Sequence, residues 1–87
     1  MPGKKPARQV VTTPMQLGEI LRGRRKARGI SQAELARKGG LSQSRVSVLE
    51  SDPGSISLDR LLVLVKLLGL ELVIEDKSDE LRVRAEW

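Results

Sequence analysis

There is no cysteine and no histidine among these 87 residues, and Trp87 is the single aromatic. Without cysteine no disulfide can staple the fold. Without either residue type the Ser-His and Cys-His pairs of nucleophilic catalysis and the usual zinc sites cannot be built. The carboxylates that remain, such as Asp52 and Asp59 or Glu71 and Glu75, are spaced as turn and strand-face residues, and so small a core offers no evident pocket to perturb them. Neither catalysis nor a metal or cofactor is expected. No apolar run approaches a membrane span, and no apolar stretch of signal-peptide length follows the basic N-terminal segment. A cytoplasmic protein is expected.

What is present is aliphatic and basic. An apolar content of 39% with almost no aromatic rings means a core of Leu, Ile and Val, thin for a single domain. Dimerisation is the usual remedy where no disulfide or metal is available. The charge of +5 is unevenly spread. Residues 1–28 carry eight Lys or Arg against one Glu, residues 29–50 three against two, and the remainder five against eight acidic residues. Positive charge thus lies with the N-terminal arm and first helix, where phosphates can be neutralised.

Along the chain, residues 1–12 read as a flexible basic arm, 13–75 as one domain and 76–87 as a flexible tail. The arm contains Pro2, Gly3, Lys4, Lys5, Pro6 and Arg8, too little apolar surface to order itself. Thr13, Pro14 and Gln16 then form a helix start, with Thr as cap, Pro at the first position and Gln three residues on. This helix should run to about Arg28, stopped by Gly29, with Leu17, Ile20, Leu21 and Ala27 inward. Gly18 and Gly23 weaken it. Arg24 falls among the apolar positions, so either its stem lies along the core or the helix is rotated from this reading.

The stretch Gln32 to Glu50, QAELARKGGLSQSRVSVLE, carries the most information. Ser31 and Glu34 form a capping box that starts a helix at Gln32. Leu35 and Ala36 face inward, Gly39 and Gly40 allow a left-handed turn, and Leu41 plugs the corner. Ser42 caps the next helix, whose inward residues Val46 and Leu49 leave Gln43, Ser44, Arg45 and Ser47 outward. Two short helices about a glycine corner make a helix-turn-helix, which carries its second helix into the DNA major groove. Gln pairs with adenine, Arg with guanine, and Ser with bases or phosphates. The expected DNA-binding set is Gln32, Ser42, Gln43, Ser44, Arg45 and Ser47, with Lys38 and Arg8 as basic members.

The pattern Gln32, Leu35, Ala36, Gly40, Leu41, Ser42, Val46, Ser47, Glu50 resembles the Xre family of lambda-repressor-like DNA-binding domains over roughly residues 15 to 70. The resemblance implies an all-α, compact bundle of four to five helices that binds DNA as a dimer, with Gln32 and Gln43 to Ser47 nearest the nucleic acid. It also implies a nucleoid-associated protein.

After a turn containing Asp52, Pro53 and Gly54, Ser57 should cap a helix over Leu58–Leu68, closed by Gly69. Only Asp59, Arg60 and Lys66 are polar in it. Leu58, Leu61, Leu62, Val65 and Leu68 can face the core, which leaves Val63, Leu64 and Leu67 for a dimer interface. Leu70 to Glu75 alternates as a short β-strand, and Leu70, Leu72 and Ile74 join the interface residues. Its partner is either its twin in a second subunit, the favoured pairing, or a return strand from the tail. The first would set two readout helices about one DNA turn, roughly 34 Å, apart on a palindrome.

In the tail, Leu81, Val83 and Trp87 either pack back on the domain or form an arm that orders on a partner protein. A domain of this length followed by a short strand, a polar tail and a terminal Glu86-Trp87 resembles the HipB-type antitoxins. That resemblance implies a dimeric repressor of its own operon that binds a HipA-type, kinase-like toxin, with Trp87, Leu81 and Val83 as toxin contacts. The longer basic arm and Arg24 depart from the pattern. The alternative is a free-standing Xre-family regulator with no toxin partner.

Overall fold

The structure, a computed structural model, describes residues 8–77. Thr13 opens α1 (Pro14–Ala27) with both halves of a capping box: its hydroxyl accepts from the Gln16 amide at 3.2 Å, and the Gln16 side chain accepts from the Thr13 amide at 3.2 Å. Pro14 loses nothing there, since first-turn amides have no intrahelical acceptor. The helix is capped at Arg28, one residue before Gly29. Ser31 starts α2 (Gln32–Gly39) by accepting from the Glu34 amide at 3.0 Å. The reciprocal bond expected of Glu34 is not made. Its carboxylate lies 3.9 Å from Lys38 Nζ instead, the partner one turn along the same face.

The corner follows from Gly40, which sits at φ +70°, a region that L side chains rarely adopt. That turn lets the Leu41 amide donate back to the Ala36 carbonyl at 2.8 Å and satisfies one of the helix's orphan carbonyls. Ser42 caps α3 (Gln43–Ser51), accepting from the Arg45 amide at 3.2 Å. A 3₁₀ turn, Pro53–Ser55, leads to α4 (Leu58–Leu67), capped by Ser57 and closed at Leu68 before Gly69. Among the described residues there are four α-helices in all, none of them long and apolar enough to cross a membrane.

α3 packs against both α1 and α2, and α4 lies on α2. Their meeting point buries Leu21, Leu35, Ala36, Val46, Leu49, Leu64, Val65 and Leu68, with Leu17, Ile30, Leu41, Ile56, Leu61, Leu67 and Leu70 packed around them. The inner face of α1 is turned from the expected one. Arg25 and Gly18 are buried and Ala27 is exposed, while Arg24 is half-buried and donates Nε to the Leu68 carbonyl at 3.2 Å. Arg28 Nη1 reaches the same carbonyl at 3.4 Å, so two cations close the C-terminal end of α4, where its dipole is negative.

The phase of α4 also differs. Leu64, expected on the outer face, is wholly buried and Leu67 is half-buried, whereas Leu58 and Leu62 are exposed. Leu61, Leu64, Val65 and Leu68 are the true i, i+3, i+4, i+7 stripe. Leu70 likewise turns inward: it is half-buried against the core, and its amide donates to the Val65 carbonyl at 2.9 Å. Of the six residues expected at a dimer interface, Val63, Leu72 and Ile74 remain exposed.

The expected strand over 70–75 is not formed among the described residues, because residues 70–77 make no ladder with any of them. A strand exists only with a neighbour to bond, and the described residues of one chain supply none. The expectations for the arm before Arg8, and for Leu81, Val83 and Trp87 in the tail, lie outside the described residues.

Two glycines of α1 behave oppositely. A Cβ on Gly18 would overlap the backbone carbonyl of Glu50, where no side chain can swing aside, while one on Gly23 meets nothing within 4 Å. Gly18→Ala should therefore cost about 1–3 kcal/mol through forced separation of α1 and α3. Gly23→Ala should add about 0.5–1 kcal/mol by restricting the unfolded chain and favouring helix. Urea unfolding midpoints moving in opposite directions would bear this out.

Candidate nucleic-acid interface

The outward face of α3 is set by what the helix buries. Val46 and Leu49 are locked in the core, which forces Gln43, Ser44, Arg45 and Ser47 into solvent. Gln43 and Ser47 share one row of that face, Ser44 and Val48 the next. Gln32, from the first turn of α2, completes an open depression lined by Gln32, Gln43, Ser44, Ser47 and Val48. Ser42 is exposed too, but its hydroxyl already accepts from the Arg45 amide and stands 3.1 Å from Ser44 Oγ, so it is partly committed to the cap. No acidic residue occupies the first turn of α3, so its positive end remains free to face an anion.

Behind this face lies a buried polar network that the sequence reading left unassigned. Arg25 is 8% exposed, and its Nε and Nη2 donate to the two carboxylate oxygens of Glu50 at 2.6 and 3.1 Å. Its Nη1 donates to the Ile30 carbonyl at 2.9 Å. Gln32 Nε2 donates to Glu50 Oε1 at 3.1 Å. One carboxylate therefore ties α1 to α3 and also holds Gln32, leaving the amide oxygen of that side chain without a partner among the described residues. No buried side-chain polar atom of the described residues goes unpaired. The available signal was a Glu in the pattern at the end of α3 with an Arg-rich α1, but nothing in sequence says which Arg turns inward.

Of the expected DNA-binding residues, Gln32, Gln43, Ser44 and Ser47 meet in one place, and Ser42 and Arg45 flank them on the same helix. Lys38 and Arg8 do not line the depression. Lys38 is near Glu34, and Arg8 Nη2 lies 2.9 Å from Glu75 Oε2, both pairs being well exposed. Exposed pairs of this kind are worth about 0–1 kcal/mol, so either cation can exchange its partner for a phosphate. Val48 also lines the depression, and having no donor or acceptor it carries no hydrogen-bonding signal in the sequence.

The helix-turn-helix family model matches residues 13–74. Antitoxin HipB of Escherichia coli O6:H1 is 30% identical over 71 residues, covering 82% of this chain and 76% of that protein. Antitoxin HipB of Escherichia coli strain K12 is 29% identical over 71 residues, covering 82% and 81%. Among solved structures, HipB in a HipB-O1-O2 complex superposes with a TM-score of 0.72 at 29% identity, over 78% of this chain and 99% of that one. A chain of a HipA-HipB-O2-O3 complex gives 0.74 at 28% identity, over 80% and 99%.

Proposed function

This chain belongs to the helix-turn-helix family, and on that premise we propose that it is a DNA-binding repressor that reads a palindromic operator as a dimer and serves as the antitoxin of a HipA-type, kinase-like toxin. The observation that carries the reading is the α3 face. Four hydrogen-bonding side chains are held outward by a buried Val46 and Leu49, beside a Gln32 whose amide is fixed from behind by Glu50. A rigid polar helix face of this width fits the major groove, where base edges present donors and acceptors in patterns that Gln, Arg and Ser complement.

The toxin partner rests on the relatives named antitoxin and on the solved complex of HipA with HipB. The dimer rests on the apolar side chains left bare, Leu62, Val63, Leu72 and Ile74 among them. A protein with these tasks acts in the cytoplasm and needs no catalytic group.

The test is a titration of promoter DNA from the chain's own operon against random DNA over a series of salt concentrations, with and without the HipA-type protein from the neighbouring gene. Gln43→Ala and Arg45→Ala should each cost about 1–3 kcal/mol on the operator and much less on random sequence. Arg8→Ala should weaken both equally and reduce the salt slope by about one phosphate's worth, near 0.9. Equal losses on both DNAs from Gln43→Ala would remove that residue from base reading. A complex with operator that the toxin-like protein neither joins nor alters would leave a free-standing regulator.

A further inference from the structure

α3 exposes one apolar side chain. Gln43, Ser44, Arg45, Ser47 and Ser51, its other exposed residues, each carry a donor or acceptor, whereas Val48 carries neither and is 46% exposed. A lone surface valine is ordinary in itself. Here its position gives it meaning. Val48 stands one turn beyond Ser44 on the row that faces the depression shared with Gln32, Gln43 and Ser47. It also borders a second hollow, lined by Ser44, Arg45, Leu49, Ser55 and Ile56. Val48 and Ser44 are common to both, and Val48 is the apolar one of the two, so it forms an apolar ridge in the middle of an otherwise polar reading face. A β-branched residue is also a poor choice for an exposed helix position on propensity alone, because it loses side-chain freedom there.

The major groove offers one apolar feature to a side chain, the C5-methyl group of thymine. A hydrogen bond cannot detect that methyl, and a valine, with no donor or acceptor, can detect little else. On the DNA-reading function proposed above, we infer that Val48 is a specificity-determining residue that packs its γ-methyl groups against a thymine C5-methyl in each half-site. It adds to Gln43, Ser44 and Ser47 a contact that selects T over C and fixes which strand carries the T. Val48 carries no charge, so this contribution is independent of salt, unlike that of Arg8 or Lys38.

The experiment uses the full chain and a duplex it enriches from a randomised library. Each thymine is replaced singly by deoxyuridine, which removes one methyl and nothing else, and affinities are read by fluorescence anisotropy at fixed salt. The wild-type chain should lose roughly three- to tenfold at one thymine per half-site. Val48→Ala, which keeps the helix, should bind the thymine duplex weaker by about that factor and show a thymine-to-uracil ratio near one at that position, with other positions unchanged. An unchanged ratio in Val48→Ala at every thymine overturns the inference. So does a wild-type chain that binds the enriched duplex but ignores every methyl. A chain that enriches no duplex overturns instead the reading of α3 as a DNA-reading helix, and this contact with it, so the two failures are told apart.

Discussion

Replacing Glu50 by alanine is expected to destabilise the domain by about 3–5 kcal/mol, the usual cost of stranding one member of a buried ion pair. The substitution removes both acceptors of Arg25, whose guanidinium lies under the α1–α3 contact and retains only its bond to the Ile30 carbonyl. It also takes away the acceptor of Gln32 Nε2. Domains of this size hold about 5–15 kcal/mol in total, and one with a small aliphatic core sits near the lower end, so most of its stability would go. Urea unfolding should show the midpoint collapse with little change in slope. Arg25→Met combined with Glu50→Leu should recover most of the loss, because the desolvation penalty disappears with both charges. A loss of only about 1 kcal/mol from Glu50→Ala, the value of an exposed pair, would contradict the buried-pair account. The double variant separates two tasks of one carboxylate. It restores the packing but not the acceptor for Gln32, so a stable protein with weakened operator binding is the expected outcome.

The parts of this fold legible in the sequence are those decided within a few residues. Each helix start needs one hydroxyl and one amide three residues later, and Thr13, Ser31, Ser42 and Ser57 all perform that task. The corner needs one left-handed residue, and Gly40 is it. Where a neighbour decides, sequence spacing was insufficient. α4 is apolar nearly all round, so several phases satisfy its periodicity, and α2 selects the one that buries Leu64. Asp59 and Lys66, seven residues apart on a solvent-facing row, were the weak clue that Val63 and Leu62 lie outside. In α1 the basic residues from Arg22 to Arg28 look alike until Glu50, twenty-five positions from Arg25, approaches one of them. Gly18 looked like a defect in the helix and is instead the point where the Glu50 backbone passes. In the candidate site the hydrogen-bonding residues were legible because their chemistry is plain, while Val48 was not, since its significance comes from the face it shares.

Introducing aspartate at Ile74 should turn a dimer into monomers and weaken binding to a palindromic operator by about a hundred- to ten-thousandfold, the avidity lost when two half-sites are no longer read by one linked pair. Ile74 is 95% exposed in the single chain, and Leu72 and Val73 beside it are exposed as well. Leu58, Leu62 and Val63 on the outer side of α4 are also exposed. A monomer rarely shows so much aliphatic surface over so short a stretch without a use for it. A second copy related by a two-fold axis would supply residues 70–75 with the ladder partner they lack among the described residues and cover these side chains together. A carboxylate at position 74 would then enter an apolar contact unpaired, which proteins avoid at the cost of the contact itself. Because Ile74 touches nothing in its own chain's core, the variant should unfold at the same urea concentration as a wild-type monomer would, and its random-DNA affinity per subunit should persist. Sedimentation equilibrium at micromolar concentration measures the first effect and operator titration the second. If Ile74→Asp still sediments as a dimer, the pairing lies elsewhere. If the wild-type chain is itself monomeric there, the half-sites must be read singly, and the largest part of the expected operator affinity has no structural source.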